Sequence, residues 1–147
     1  MVNKVSLNIF EIINKVKSAK SKKDKIATLQ QNDCPALGDV LRCFFDDIVN
    51  FSLPPGLPPY EPAKEESVPS NLHKQIQKLK FFVKGLEGDK LPSIRRERMF
   101  IDMLEAIHPA DAELVLKMKD KETLGGGITK KLVQEALPKL IVKKRKN

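Results

Sequence analysis

The sequence is poor in the residues that build disulfide frameworks and metal sites. Its 147 residues include no tryptophan, one tyrosine, two cysteines and two histidines. In a single helix Cys34 and Cys43 would lie about 13.5 Å apart along the axis, too far for a disulfide. No CxxC or HExxH pattern indicates zinc, and no Walker loop or GxGxxG indicates a nucleotide. We therefore expect no cofactor, no metal and no enzyme activity, with reduced thiols typical of the cytosol.

Long apolar runs are also missing. No stretch approaches the 18 apolar residues of a membrane span, and the first residues do not follow a signal-peptide pattern. We expect a cytoplasmic protein that neither crosses a membrane nor is secreted by that route.

Positive charge is what the sequence has in excess. Lysine and arginine number 27 against 19 acidic residues, which gives a net charge of +8. This balance favours a polyanionic partner, although a solvated surface gives the same count. An anionic membrane is the weaker choice, because the apolar faces of the basic helices are needed for the core.

Apolar residues recur at intervals of three and four along most of the chain, and no segment alternates as a strand does. The pattern predicts an all-α fold, a single compact domain of about seven helices over residues 1–142. Two helical lobes would be joined by a Pro-rich connector at 51–69, and residues 143–147 would form a basic tail.

Several helix ends can be predicted from their capping residues. Ser6 is a candidate cap of the first helix, and Ser21 with Asp24 forms a capping box for the second. Asp33 is a candidate cap of the third, with Pro35 in its first turn. A further helix is predicted from Ser70 to Gly85. The next one ends before Pro109 and has Ile94 among its core residues.

The connector holds six of the ten prolines and therefore excludes a helix or a central strand. We interpret it as an extended segment on the surface, pinned by Phe51, Leu53, Leu57 and Tyr60. A flexible linker between the lobes and a polyproline ligand for a partner remain as alternatives.

Three consecutive glycines stand directly in front of the last helix. Glycine lets the backbone approach an anion closely, and the first amides of a helix have no partner within it. A phosphate fits there, with a hydroxyl from Thr129 and charge from Lys130 and Lys131. The alternative is a tight turn in which the glycines only supply a positive φ.

A second basic group lies at the start of the helix that follows residue 90. Arg95, Arg96 and Arg98 crowd its first turns, where a cation is mildly unfavourable. This placement suggests that they bind an external anion.

The stretch "DAELVLKMKDKETLGGGITKKLVQEALPKLI" resembles the end of the N-terminal DNA-binding domain of ATP-dependent DNA ligases, particularly those of large tailed phages. The upstream order of helices fits the same family, whereas the connector departs from it most. The sequence has no KxDG motif, the motif that carries the nucleotidyl lysine of these ligases, and it ends about where their catalytic domain would begin. It looks like the DNA-binding part on its own.

The resemblance implies a phage-encoded, non-enzymatic protein in the host cytoplasm. Its partner would be double-stranded DNA, nicked or intact, gripped from the minor-groove side with little sequence preference. The predicted contacts with the phosphate backbone are those of Gly125, Gly126, Gly127, Ile128, Thr129, Lys130, Lys131, Arg95, Arg96 and Arg98.

Two other functions remain open at this point. A domain that kept the ligase-type fold could have lost its DNA surface and become a protein-interaction module for a host or viral protein. The connector and the acidic residues Glu61, Glu65 and Glu66 would then be its surface. It could also serve as an accessory factor to a separate ligase or polymerase.

Overall fold

The helices of this protein are short and are separated by well-defined turns. A computed structural model describes residues 7–140, so the predicted cap Ser6 and the predicted basic tail at 143–147 lie outside the described residues. The seven α-helices in that range are α1 (Ile9–Ser18), α2 (Lys22–Gln31), α3 (Pro35–Phe45), α4 (Leu72–Gln75), α5 (Ser93–Ala106), α6 (Pro109–Lys119) and α7 (Lys130–Ala136). The predicted all-α fold in a single domain is confirmed.

Helix α6 lies at the centre of the packing. It contacts α1 and α3, which precede the connector in the sequence, and α5, which follows it. Helix α2 packs against both α1 and α7. Val115 and Met118 of α6 are fully buried and belong to the same apolar cluster as Ile9, Leu37 and Leu104. The two halves of the sequence therefore share one core.

Capping side chains explain where α1 and α2 begin, and a proline marks the start of α3. Asn8 precedes α1, and the Glu11 carboxylate accepts a hydrogen bond from its N–H at 2.8 Å. The Ser21 hydroxyl accepts from the N–H of Asp24 at 3.1 Å, as predicted for α2. Pro35 is the first residue of α3, but the residue before it, Cys34, occupies the N-cap position that was predicted for Asp33.

The predicted long helix over 70–85 is wrong. Asn71 caps the four-residue helix α4, and the chain then tightens into a 3₁₀ helix over Ile76–Phe81. Residues three apart line up along a 3₁₀ helix, which places Ile76, Leu79 and Phe82 together on the buried side.

Long-range hydrogen bonds end this 3₁₀ helix and tie the connector to it. The Ser52 N–H donates to the Phe82 carbonyl at 2.7 Å, and the Lys84 N–H donates to Asn50 at 2.8 Å. Phe51 and Val83 form the isolated antiparallel bridge between these bonds. The bridge needs extended backbone where the sequence pattern predicted helix.

The connector is extended and lies against the helical body, apart from a short 3₁₀ turn at Glu65–Ser67. Phe51 is buried, and Leu53 and Tyr60 are partly buried against the core, as predicted. Leu57 is 76% exposed, so it does not help to hold the segment. Ile94, predicted to be a core residue, is also on the surface and is 81% exposed.

Candidate nucleic-acid interface

The three glycines form an exposed turn that only glycine adopts easily. Gly125, Gly126 and Gly127 have φ angles of 74°, 62° and 81°, all in the left-handed region. The Ile128 N–H closes the turn by donating to the Gly125 carbonyl at 3.1 Å. Within residues 7–140 the three glycine amides donate to no other group, so they are available to a ligand. We call residues 125–127 the glycine turn.

Two lysines from other helices form the wall against which the glycine turn packs. A Cβ atom on Gly126 would lie 2.3 Å from Cγ of Lys17, and one on Gly127 would lie 2.9 Å from Cε of Lys25. The first contact is with the base of the Lys17 side chain, which cannot move aside. A larger residue at 126 would therefore disturb the turn itself.

Lys17 and Lys25 differ in what their ammonium groups do. Lys25 donates to the carbonyls of Val16, Lys17 and Ala19 at 2.7–3.2 Å, which closes the C-terminal end of α1. Lys17 makes no ion pair within the described chain. It lines a shallow cavity beside the glycine turn with Lys117 and Leu124, and Glu113 adds one carboxylate to the same lining. Lys17 and Lys117 therefore carry charge that is free for an external anion.

The residues after the turn start helix α7. Ile128 is buried, and the Thr129 hydroxyl caps the helix by accepting from the N–H of Leu132 at 3.2 Å. Lys131 is exposed, whereas Lys130 lies 3.3 Å from the Asp47 carboxylate, which is 93% exposed. Such a surface pair is weak and an anion can displace it.

Five lysines from four helices thus surround one exposed turn. We call this set the lysine cluster, and its members are Lys17, Lys25, Lys117, Lys130 and Lys131. The sequence predicted only the last two. Lys17 and Lys25 come from helices distant in the chain, and Lys117 comes from the preceding helix α6. Close approach of Lys17 and Lys25 to the glycines is a property of the tertiary fold.

Of the three arginines predicted for the site, Arg95 is exposed, while Arg96 and Arg98 make contacts away from the glycine turn. The Arg96 guanidinium donates to the carbonyls of Ser52, Gly88 and Leu91 at 2.8–3.1 Å, so it holds the connector and the turn before α5. Arg98 forms a long, exposed contact of 3.8 Å with Asp102. None of their hydrogen bonds or ion pairs within residues 7–140 reaches the glycine turn.

Groups that could support covalent or metal chemistry do not come together in the described part of the chain. Burial raises the pKa of the Cys43 thiol to about 12, which makes it a poor nucleophile. His108 caps α6, where its Nδ1 accepts from the N–H of Ala110 at 3.0 Å. No three His, Cys, Asp or Glu side chains of residues 7–140 gather as a metal site requires.

Comparison with known proteins identifies the family. Residues 12–124 match a protein family described as "Family of unknown function (DUF6433)". The chain belongs to the DUF6433 family. No curated protein matches the chain. Because this family has no assigned function, the resemblance to DNA ligases stays a prediction.

The family match covers part of the lysine cluster only. The DUF6433 region contains residues 12–18 of α1 and all of α2 and α6, with Lys17, Lys25 and Lys117, and it ends at Leu124, directly before the glycine turn. The turn and α7 lie outside it. Among the described residues, no helix is both long and apolar enough to span a bilayer.

Proposed function

We propose that this protein binds double-stranded DNA through the phosphate backbone, from the minor-groove side and with little sequence preference. It does so without catalysing a reaction, as a phage-encoded protein in the cytoplasm of the host. The observation that carries the proposal is the lysine cluster around the exposed glycine turn. The ligase-type resemblance of residues 111–141 adds to it.

The geometry suits phosphate better than a base edge. Free amides of the glycine turn can donate to a phosphate oxygen, and the lysines beside it supply point charges without the fixed fork that reads a guanine. Lys25 is already bonded to three carbonyls, so Lys17, Lys117, Lys130 and Lys131 are the cations that would meet the backbone. Contacts of this kind position a protein on DNA and read no sequence.

The test measures binding to intact, nicked, gapped and single-stranded DNA at several salt concentrations. Neutralising about four phosphates, one for each of Lys17, Lys117, Lys130 and Lys131, gives a log–log salt slope near −3.6 on duplex DNA. Lys131→Gln removes one exposed charge of the lysine cluster, so the slope should become shallower by about 0.9. Lys74→Gln is the matched control, because Lys74 is an exposed lysine on α4.

Three results would contradict the proposal. A slope near zero would show that phosphates do not contribute. Equal effects of Lys131→Gln and Lys74→Gln would show attraction by net charge and no site at the glycine turn. Tighter binding to single strands than to any duplex would exclude recognition of the double helix.

A further inference from the structure

A groove separates the connector from helix α5. It has a volume of about 240 Å³ and an apolar floor made by Phe100 and Ile101. One wall consists of connector residues 53–59, four of which are prolines. Glu97 and Lys119 are the only charged residues of its lining.

Hydrogen bonds hold the groove open in advance of any ligand. The buried Lys119 ammonium donates to the Pro54 carbonyl at 2.8 Å and contacts the Asp120 carboxylate at 2.6 Å. Asp120 in turn accepts from the N–H of Gly56 at 3.3 Å. A preformed groove lowers the ordering cost that a partner would otherwise have to offset.

Large apolar side chains stand at the rim with nothing to cover them in the described chain. Leu57 is 76% exposed on the connector, and Ile94 is 81% exposed on α5. Ile94 precedes Glu97 and Ile101 by three and seven residues, so it shares their face of the helix and extends the groove by one turn. Apolar groups beside an apolar groove are typical of a surface that another molecule covers.

The rim at the Ile94 end of this groove is rich in basic residues, while Glu97 lines the groove itself and Asp102 lies 3.8 Å from Arg98. Arg95 and Arg98 flank Ile94 and are exposed, as is Lys90 before the helix. The first turn of α5 contains no acidic residue, and its N-cap, Pro92, offers no side-chain hydrogen bond. Residues 51–60 of the connector carry no charge. An acidic ligand therefore complements the rim, and apolar groups complement the floor.

We propose that this groove binds an acidic amphipathic segment of a partner protein. Apolar side chains of the segment would enter the groove between Leu57 and Ile94, and its carboxylates would pair with Arg95 and Arg98. A DNA backbone fits less well, because phosphates and sugars leave the apolar floor and both exposed aliphatic side chains uncovered. The proposal does not depend on DNA binding at the lysine cluster.

The experiment selects ligands without assuming a sequence. A displayed library of random 16-residue peptides is enriched for binding to the full chain and depleted with the double variant Leu57→Ser, Ile94→Ser. Both positions are exposed, so the variant keeps the fold, which circular dichroism verifies. Peptides that survive should combine Asp or Glu with at least one large apolar residue.

The selected peptide is then used for mapping and for variant binding. Amide resonances of residues 57 and 94–98 should shift on titration. Ile94→Ser and Leu57→Ser should each weaken binding by at least about fivefold, as central apolar anchors do. Arg95→Gln should weaken peptide binding and should make the binding affinity depend less on salt concentration. Ile48→Ser is the matched control, because Ile48 is 75% exposed but does not line the groove.

Other outcomes would overturn the proposal. One is that the selection yields no peptide whose binding requires Leu57 and Ile94. Another is that the selected peptides are basic or uncharged. A 20-base-pair duplex that shifts the amides of 94–98 when no peptide does would assign the surface to nucleic acid.

Discussion

Asp111 is a buried carboxylate whose hydrogen bonds are incomplete. It is fully buried at the start of α6, and its Oδ1 atom accepts from the N–H of Phe10 in α1 at 2.8 Å. Its Oδ2 atom is buried without a partner in the described chain. Burial raises the pKa of Asp111 to about 6, against the lowering effects of the Phe10 N–H and of His108 and His73. The charged form is therefore unfavourable in the folded protein.

This carboxylate should make stability depend on pH. Because its folded pKa of about 6 lies above the ordinary 3.8, the stabilisation from protonation is complete below 3.8 and is lost as the pH rises through 6. Relative to Asp111→Asn, which does not titrate, the wild type should lose about 2 kcal/mol of unfolding free energy between about pH 4.5 and about pH 7.5. Urea unfolding of both proteins at the two pH values measures it. Parallel changes in the two proteins would rule out a raised pKa.

Cations that look alike in the sequence have different roles in the fold. Lys25, Arg96 and Lys121 donate to backbone carbonyls, while Lys17 and Lys131 have no such bond within residues 7–140. Composition predicts the total charge but not this division, because the carbonyls that are capped lie up to 78 residues away. A site composed of free lysines can be recognised only after the capping lysines are set aside.

Lys121 connects the ends of two helices. Its backbone is left-handed, with φ of 57°, and it ends α6 in the position that glycine usually takes. The N–H of Glu122 donates to Lys117 at 2.9 Å, which completes the helix-ending motif. The Lys121 ammonium donates to the carbonyls of Cys43 and Asp46 at 2.6 and 3.1 Å, at the end of α3. Desolvation by partial burial lowers the pKa of this amine.

Substitutions at Lys121 should separate strain from capping. Lys121→Met keeps the strained φ and loses the ammonium that caps α3, so we expect a loss of about 1–2 kcal/mol. Lys121→Gly loses the same ammonium but relieves about 1 kcal/mol of backbone strain. The glycine variant should therefore be the more stable of the two by about 1 kcal/mol in urea unfolding. Equal stabilities of the two variants would show that the backbone strain is absent. A Lys121→Met variant as stable as the wild type would show that the ammonium contributes nothing as a cap.

At the level of helices, periodicity and capping residues predict those features that depend on contacts between residues close in the sequence. Ser21 and Pro35 follow the pattern because short-range contacts fix them. The segment 70–85 does not, since the bonds of Phe82 and Lys84 to the connector compete with helical ones. Ile94 has the spacing of a core residue but lies one turn beyond the edge of the helical body. A pattern cannot indicate where the packing ends.

At the scale of the molecule, the candidate interface combines residues that the sequence indicates with residues that only the tertiary fold brings together. The glycine turn and Lys131 are visible in the sequence as flexible backbone before a basic helix. Lys17 and Lys117 are not, because only the packing of α1 against α6 places them beside the turn.

A single shared core predicts that the connector and the helices unfold together. Tyr60 is the only tyrosine and there is no tryptophan, so intrinsic fluorescence reports on the connector alone. Far-ultraviolet circular dichroism reports on the helices. Because Lys119, Arg96 and Phe51 fasten the connector to the core, both signals should give the same urea midpoint. Lys119→Met should lower both midpoints together. A fluorescence transition that precedes the loss of helix would instead indicate a flexible linker between two lobes.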